Sequence, residues 1–415
     1  MSDTSVSNQM MELAERYGTP LYVYDLNKVR EQIATIVDHM HPAVQLFYSL
    51  KANPNTTLVR KIYETGTNLE ICSLYELKVA QVAGASPDHI LYLGPGKTHQ
   101  EIRQIVDYGV RYIVAESLQE LELINQIAKA AGKVVKVGVR VNPEVAVKGA
   151  RLQMGGTARQ FGIDEKQFGD VVALIKRLHH LRLSGIHTYH GTRILSAQVI
   201  AENIQYILSF AAQVIQQYQL SLDYVGVGGG LGVHYFAGES QLDVAALGSQ
   251  TREPIERFVA SHKGTSILME SGRYIVAEAG TYLVSVLYTK TSQDIRFAIT
   301  NGGTHHHMAA GGMGNAFLKN FPIRAFVSEQ REMEKYHLSG PLCTPNDLIG
   351  KHVELPKLRP GDVIGIQRSG AYGLTASPVL FLSHGLPREV LFDGEREWMI
   401  RERDEYMVPR VRIVS

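Results

Sequence analysis

The sequence predicts an α/β protein, a (β/α)8 barrel followed by a C-terminal β domain, and three observations carry that expectation. Eight short apolar or β-branched runs recur through the first two-thirds of the chain and end in polar or glycine-rich residues. Between them lie segments of good helix formers with helical periodicity. The last third loses its helical windows and alternates strand-like runs with Gly/Pro turns. Strand and helix in alternation imply parallel strands with helical crossovers, and eight such units in roughly 240 residues match the length of a closed barrel.

Taken in order, TPLYVYD (19–25) is strand-like, precedes the barrel and is assigned to the β domain. Barrel strands are expected in QLFYSLKA (45–52), NLEICS (68–73), ILYLGPG (90–96), YIVAES (112–117), KVGVRVNP (136–143), LSGIHTYHG (183–191), YVGVGGGLG (224–232) and SILMESGR (266–273). The segments SLYELKVAQVAGA, SLQELELINQIAKAAGK and IAENIQYILSFAAQVIQQYQ read as helices between them. TYLVSVLYTKTSQDIRFAITNGG and LRPGDVIGIQRSGAYGLTAS read as β structure. The expected boundaries are residues 1–26 for an N-terminal segment joining the β domain, 27–280 for the barrel and 281–415 for the β domain, since 415 residues at 45% apolar exceed the usual single core.

Forty-two basic residues against forty-one acidic ones, with no basic block, exclude the pattern of a nucleic-acid binder. Two distant cysteines, Cys72 and Cys343, argue for a reducing compartment rather than a disulfide framework or a metal cluster. The N-terminus lacks a basic and then apolar leader, and no window approaches the roughly 18–20 apolar residues of a membrane span. A soluble, cytoplasmic protein is expected.

In a barrel of this kind, active-site groups gather at the carboxyl ends of the strands. Those ends supply Lys51, Glu70 and Ser73, Arg140 and Asn142, His187 and Tyr189, Gly228 to Gly230, and Glu270 with Arg273. Lys51 is either a paired, snorkelling lysine or a Schiff-base lysine made nucleophilic by partial burial. The glycines of VGVGGGLG form either a tight turn or a cradle whose backbone N–H groups approach a phosphate. Glu270 is either an ordinary ion-pair partner or a carboxylate that keeps the pyridine nitrogen of pyridoxal phosphate protonated. Period-two alternation puts His187, Tyr189 and Gly191 on one strand face with His190 opposite. GPGKT (94–98) falls short of a P-loop, because Leu91 stands where a glycine is required and Pro95 has no N–H. Consecutive histidines point in different directions, so His305, His306 and His307 suit a substrate-contact loop better than a metal site.

The ordered set FYSLKANPN, LEICSLYEL, VGVRVNP, FGI, GIHTYHGT, GGGLG, ESGRYIV, GPLCTPND and GAYG resembles the fold-type III pyridoxal-phosphate decarboxylases, the group of diaminopimelate and ornithine decarboxylases. The resemblance implies an alanine-racemase-like barrel with a C-terminal β domain, and a head-to-tail homodimer with shared active sites. By the same resemblance Lys51 is the cofactor-bearing lysine and Glu270 the partner of the ring nitrogen. Gly228, Gly229, Gly230, Arg273 and Tyr372 are phosphate or substrate-carboxylate contacts, with Glu70, Ser73, Arg140, His187 and Tyr189 around the cofactor. Cys343 resembles a cysteine that the neighbouring subunit inserts to protonate Cα, whereas Cys72 reads as a buried structural thiol.

Four positions depart from the family pattern. Glu70 replaces an aspartate, Tyr189 stands where a histidine stacks on the ring unless the strand shifts to present His190, Thr344 replaces an acid that meets a distal amine, and Gly302 replaces a further substrate-binding aspartate. A distal ammonium left without these acids would cost roughly 3–5 kcal/mol, a hundredfold loss or more. GPLCTP and NGGTHHHMAA are similar instead to a branch that includes the butirosin-pathway decarboxylase, which acts on a glutamyl group held as a thioester on an acyl carrier protein; its members sit in secondary-metabolite and exopolysaccharide gene sets. The expected substrate therefore has a neutral or tethered far end, contacted by Arg193, His305, His306 or Thr344. Arg151, Arg159 and Arg324 are candidates for meeting the carrier. The rival readings are a diaminopimelate decarboxylase, a racemase, against which Glu270 weighs, and a non-enzymatic pyridoxal-phosphate regulator, against which the long β domain weighs.

Overall fold

The computed structural model describes residues 3–144, 152–153, 160–312 and 319–403. The chain divides into two compact units, one of residues 30–234 with 240–275 and one of residues 1–29 with 235–239 and 276–415.

The first unit is a closed barrel of eight parallel strands: β2 (Val44–Ser49), β3 (Asn68–Ile71), β4 (Ile90–Tyr92), β5 (Tyr112–Ala115), β6 (Val135–Asn142), β7 (Leu181–His187), β8 (Tyr224–Gly226) and β9 (Ser266–Ser271). Each pairs with the next, and β9 closes on β2 from Ile267 opposite Val44 to Ser271 opposite Tyr48. The eight apolar runs are the eight strands, because a strand covered on both faces has no polar side to alternate. The Tyr224 ring fills the interior with Phe47, Leu91, Tyr112 and Leu268. Two neighbouring strands make room for it with glycine: a Cβ on Gly138 would lie 1.9 Å from the Tyr224 hydroxyl, and one on Gly185 2.2 Å from its ring. Helices follow the strands, with Ser73, Ser117, Ser196 and Asp243 as their caps, and Thr98 forms a full capping box with Glu101.

The second unit is a nine-stranded sheet. Strand β1 (Leu21–Asp25) lies antiparallel to Gly280–Ser292 and parallel to Arg388–Phe392. Helix α1 (Asp3–Tyr17) contributes Met10, Leu13 and Ala14 to a core shared with Leu21, Val23, Leu283, Phe326 and Val390. Residues 235–239 cluster here too, where Tyr235 and Phe236 pack on Phe321 at ring separations of 4.7 and 6.0 Å. Among the described residues no helix is long and apolar enough to cross a membrane.

A candidate active site at the mouth of the barrel

Strand β2 ends at Ser49, and a single 3-10 turn, Leu50–Ala52, buries its two flanking residues and turns Lys51 outward. The Lys51 side chain is 40% exposed, with Nζ 3.2 and 3.3 Å from the two oxygens of the fully buried Glu70 on β3. Glu70 also accepts the Cys72 thiol at 2.9 Å. Burial, with the Glu70 charge behind it, pushes that thiol far up, so Cys72 stays a donor. Its backbone N–H donates to Glu76 at 2.6 Å, and burial pushes the Glu76 carboxyl up to about 7. Ser73 Oγ accepts from the Glu76 N–H as the helix cap and keeps its own proton for another acceptor.

Across the mouth, His187 Nε2 donates to Glu270 Oε1 at 2.6 Å, both side chains being buried. Burial alone would push the Glu270 carboxyl up; the charge and hydrogen bond of His187, with Lys51 and Arg140 beyond, outweigh it and hold the group below its ordinary range. Strand β7 ends at His187, so the alternation expected to carry on through Tyr189 to Gly191 stops there. Tyr189 reaches the mouth from the loop instead, with Lys51 Nζ and the Arg140 guanidinium each 5.9 Å from its ring. Its phenol is pushed up by burial against the pull of Lys51 and Arg273. His190 is buried edge-on to Tyr206, and burial lowers it to about 4.

The turn after β8 is glycine by necessity. Gly228 has φ +68°, and a Cβ there would meet Thr188 O at 2.5 Å; at Gly229 one would meet Glu270 O at 2.0 Å. Among the described residues no hydrogen bond is donated by the amides of Gly228, Gly229 or Gly230. Gly230, at φ +93°, packs on Gly191 O and accepts from the Ile194 N–H, beside Arg193, whose own φ is +60°.

Sequence reasoning named Arg140 but missed the buried chain of charge that it belongs to. Arg140 Nη1 lies 3.2 and 3.3 Å from Glu116, the residue that follows β5 in the YIVAES run, which also accepts the Gly162 N–H. Phe161 covers the guanidinium at 4.6 Å. The Glu116 N–H donates to Glu120, and Glu120 pairs at 2.6 Å with Lys97, which is 1% exposed and bonds Val114 O and Gly94 O as well. The lysine of GPGKT is thus a rivet between strand ends. A glutamate just past the end of the apolar run YIVA was the signal available for Glu116. Asn142 donates to Asp164 at 2.9 Å.

In the sheet unit, Cys343 is an exposed free thiol, and Thr344 beside it is half-buried. Tyr372 sits at φ +54° in the turn after Gly370. His305, His306 and His307 are all buried, and burial lowers them to about 4, 3 and 3. His306 engages both ring nitrogens, with the Tyr282 hydroxyl at 3.1 Å and Gly385 O at 2.9 Å. His305 has neither nitrogen engaged, so of the two histidines expected to contact substrate only His305 has ring atoms to offer. A Cβ on Gly302 would lie 2.0 Å from the Tyr282 hydroxyl. Among the described residues no group of three or more His, Cys, Asp or Glu is arranged to hold a metal. Arg324 is not exposed as a carrier contact requires; it is half-buried and bonds Ser7 at 3.0 Å. Arg151 and Arg159 lie outside the described residues.

The barrel mouth fits pyridoxal phosphate: three unengaged amides suit its phosphate, a buried ionised carboxylate its ring N–H, and a half-exposed lysine its aldehyde carbon. The comparisons with known proteins agree. Residues 26–277 match the family model described as pyridoxal-dependent decarboxylase, pyridoxal binding domain. Over 400 residues the chain is 36% identical to the L-glutamyl-[BtrI acyl-carrier protein] decarboxylase of Niallia circulans, covering 95% of this chain and 94% of that one. It is 29% identical over 400 residues to the diaminopimelate decarboxylase of Aquifex aeolicus, covering 96% and 92%. The crystal structure of diaminopimelate decarboxylase from Helicobacter pylori complexed with L-lysine matches with a TM-score of 0.86 at 26% identity, over 95% of this chain and 96% of that one.

Proposed function

This chain belongs to the pyridoxal-dependent decarboxylases, and from that premise we propose that it decarboxylates an α-amino acyl group without a distal ammonium, a glutamyl or similar group tethered to an acyl carrier protein. Lys51 would hold the aldehyde carbon of pyridoxal phosphate, Gly228 to Gly230 with Arg273 its phosphate, Glu270 its ring nitrogen and Tyr189 a ring face. When bound, the cofactor supplies the electron sink for the pair left on Cα as carbon dioxide departs. Glu70, itself held by the Cys72 thiol, keeps the Lys51 ammonium at the mouth. Glu270 stays ionised because His187 donates to it, so it can hold a proton on the ring nitrogen. In a cytoplasmic, head-to-tail homodimer, Cys343 and Tyr372 serve the barrel of a second copy, where the Cys343 thiol hands a proton to Cα.

The observation that carries the substrate reading is the packing at Gly302. A side chain there would force its neighbours to move, because its first carbon would sit 2.0 Å from the Tyr282 hydroxyl and 2.8 Å from Val284, and Thr344 offers no charge. The acid next along that loop, Asp347, is fully buried and engaged by backbone donors. A distal ammonium would therefore stay unpaired at a cost of roughly 3–5 kcal/mol. Steady-state kinetics test this: free diaminopimelate, lysine and ornithine are expected at least about a hundredfold below the carrier-bound glutamyl group in kcat/KM. Turnover of free diaminopimelate at an ordinary kcat/KM, on the order of 10⁴ M⁻¹s⁻¹ or more, contradicts it.

A further inference from the structure

Cys343 stands on a loop that one buried side chain holds together. Asp347, four residues on, is fully buried. Its Oδ1 accepts from the Thr304 N–H at 2.7 Å and the Thr304 hydroxyl at 2.8 Å, and its Oδ2 accepts from the Leu342 N–H at 2.8 Å. Its own N–H donates to Thr344 O at 3.2 Å, and its carbonyl accepts the Gly340 N–H at 3.0 Å. The residues immediately before and after Cys343 are thus both tied to Asp347.

Space for this carboxylate is made on two sides. A Cβ on Gly303 would lie 2.4 Å from Oδ1, and one on Gly340 2.3 Å from Oδ2. Among the described residues no cation pairs with it; N–H and O–H donors alone hold it. A buried carboxylate without a counter-ion is expensive to keep, and a loop that needed only to close could do so with backbone bonds. What the carboxylate adds is a fixed geometry. Leu342 is pinned inward and buried, while Cys343 is left exposed one residue later.

We propose that Asp347 is a positioning residue for the Cys343 thiol, setting where that thiol stands through Leu342 and Thr344 and coupling the loop to Thr304, next to His305. The inference rests on the reading of Cys343 as the proton donor to Cα. An acid that touched substrate itself would need an oxygen facing out, and both oxygens of Asp347 are taken by donors of its own unit.

A double-mutant cycle on the full-length holoenzyme, with glutamyl-loaded carrier protein as substrate, tests it. Asp347→Asn turns one oxygen into an N–H donor that opposes the Leu342 N–H or the Thr304 donors. It is expected to lower kcat about tenfold with KM little changed, and Asp347→Asn with Cys343→Ser is expected to be no slower than Cys343→Ser alone. The rate of iodoacetamide alkylation at Cys343, read by peptide mass, is expected to shift about fivefold while that at Cys72 stays. Losses that multiply in the double variant, or an unchanged alkylation rate, overturn the proposal. If Asp347→Asn does not fold, Thr304→Val removes one donor and carries the same comparison, with about a twofold shift expected. Wild-type turnover in Cys343→Ser would remove the proton-donor reading and leave the alkylation rates to decide the positioning by themselves.

Discussion

At the scale of residues, the mouth of the barrel is a set of paired side chains, and one of them, Glu270, is held below its ordinary range, against its burial, by His187, Lys51 and Arg140. Lys51 and Glu70 pair on one side, His187 and Glu270 on the other. Lys51→Ala is expected to abolish turnover and the absorbance of bound pyridoxal phosphate together; an unchanged cofactor band in that variant would show that another group carries it. The triple histidine makes a different prediction. Burial lowers His305 to about 4, so between that value and the ordinary histidine range the unfolded chain binds a proton that the folded chain refuses. Its contribution is absent at pH 7 and becomes destabilising as pH falls, by up to about 1.4 kcal/mol per pH unit. His305→Phe is expected to flatten the fall in melting temperature between pH 7 and pH 5, because neither of its nitrogens is engaged in the native state. A parallel pair of melting curves for the two proteins would count against this. Gly302→Asp, which restores an acid at the position that the Tyr282 hydroxyl crowds, is expected to lose about 1–3 kcal/mol of stability without gaining activity on ornithine.

At the scale of elements, legibility followed burial and period. Parallel strands covered on both faces read as short apolar runs, and each of the eight expected runs overlaps one barrel strand. Their carboxyl ends then read as a site, which makes Lys51, Glu70, Arg140, His187 and Glu270 legible as candidates from the sequence. What failed was reasoning that assumed a strand went on. Strand β7 stops at His187, so Tyr189 enters from a loop, not from a shared face. Long side chains reaching between strand ends were also invisible, since nothing in GPGKT says that Lys97 bonds Val114 O and Glu120. Lys97→Met is expected to destabilise the barrel by roughly 3–5 kcal/mol in denaturant titration, because Glu120 keeps a buried charge, and Glu120→Gln by less. The glycine turn gives the matching test of the site. Gly229→Ala, whose methyl would meet Glu270 O at 2.0 Å, is expected to weaken pyridoxal-phosphate binding at least about tenfold in an absorbance titration.

At the scale of the whole molecule, the two units carry different parts of the chemistry. The barrel holds the lysine, the ionised carboxylate and the glycine turn, while the sheet unit holds Cys343, Thr344, Tyr372 and the histidine loop. Residues 235–239 join the sheet unit from within the barrel segment through Tyr235 and Phe236, a long-range association that local sequence period could not announce. If sites are shared between copies, sedimentation is expected to give a dimer, and mixing Lys51→Ala with Cys343→Ser protein is expected to restore part of the turnover through hybrid dimers. No recovery on mixing would place both residues in one copy's site.

The most direct measurement is the mass of a glutamyl-loaded acyl carrier protein before and after incubation with the holoenzyme, alongside free diaminopimelate, lysine and ornithine. Loss of about 44 Da, one carbon dioxide, is expected from the loaded carrier, with little change in the free amino acids. Loss from free diaminopimelate, lysine or ornithine, with the carrier-bound glutamyl group left intact, would contradict the proposed function and mean that a group other than residues 302 and 344 meets the distal amine.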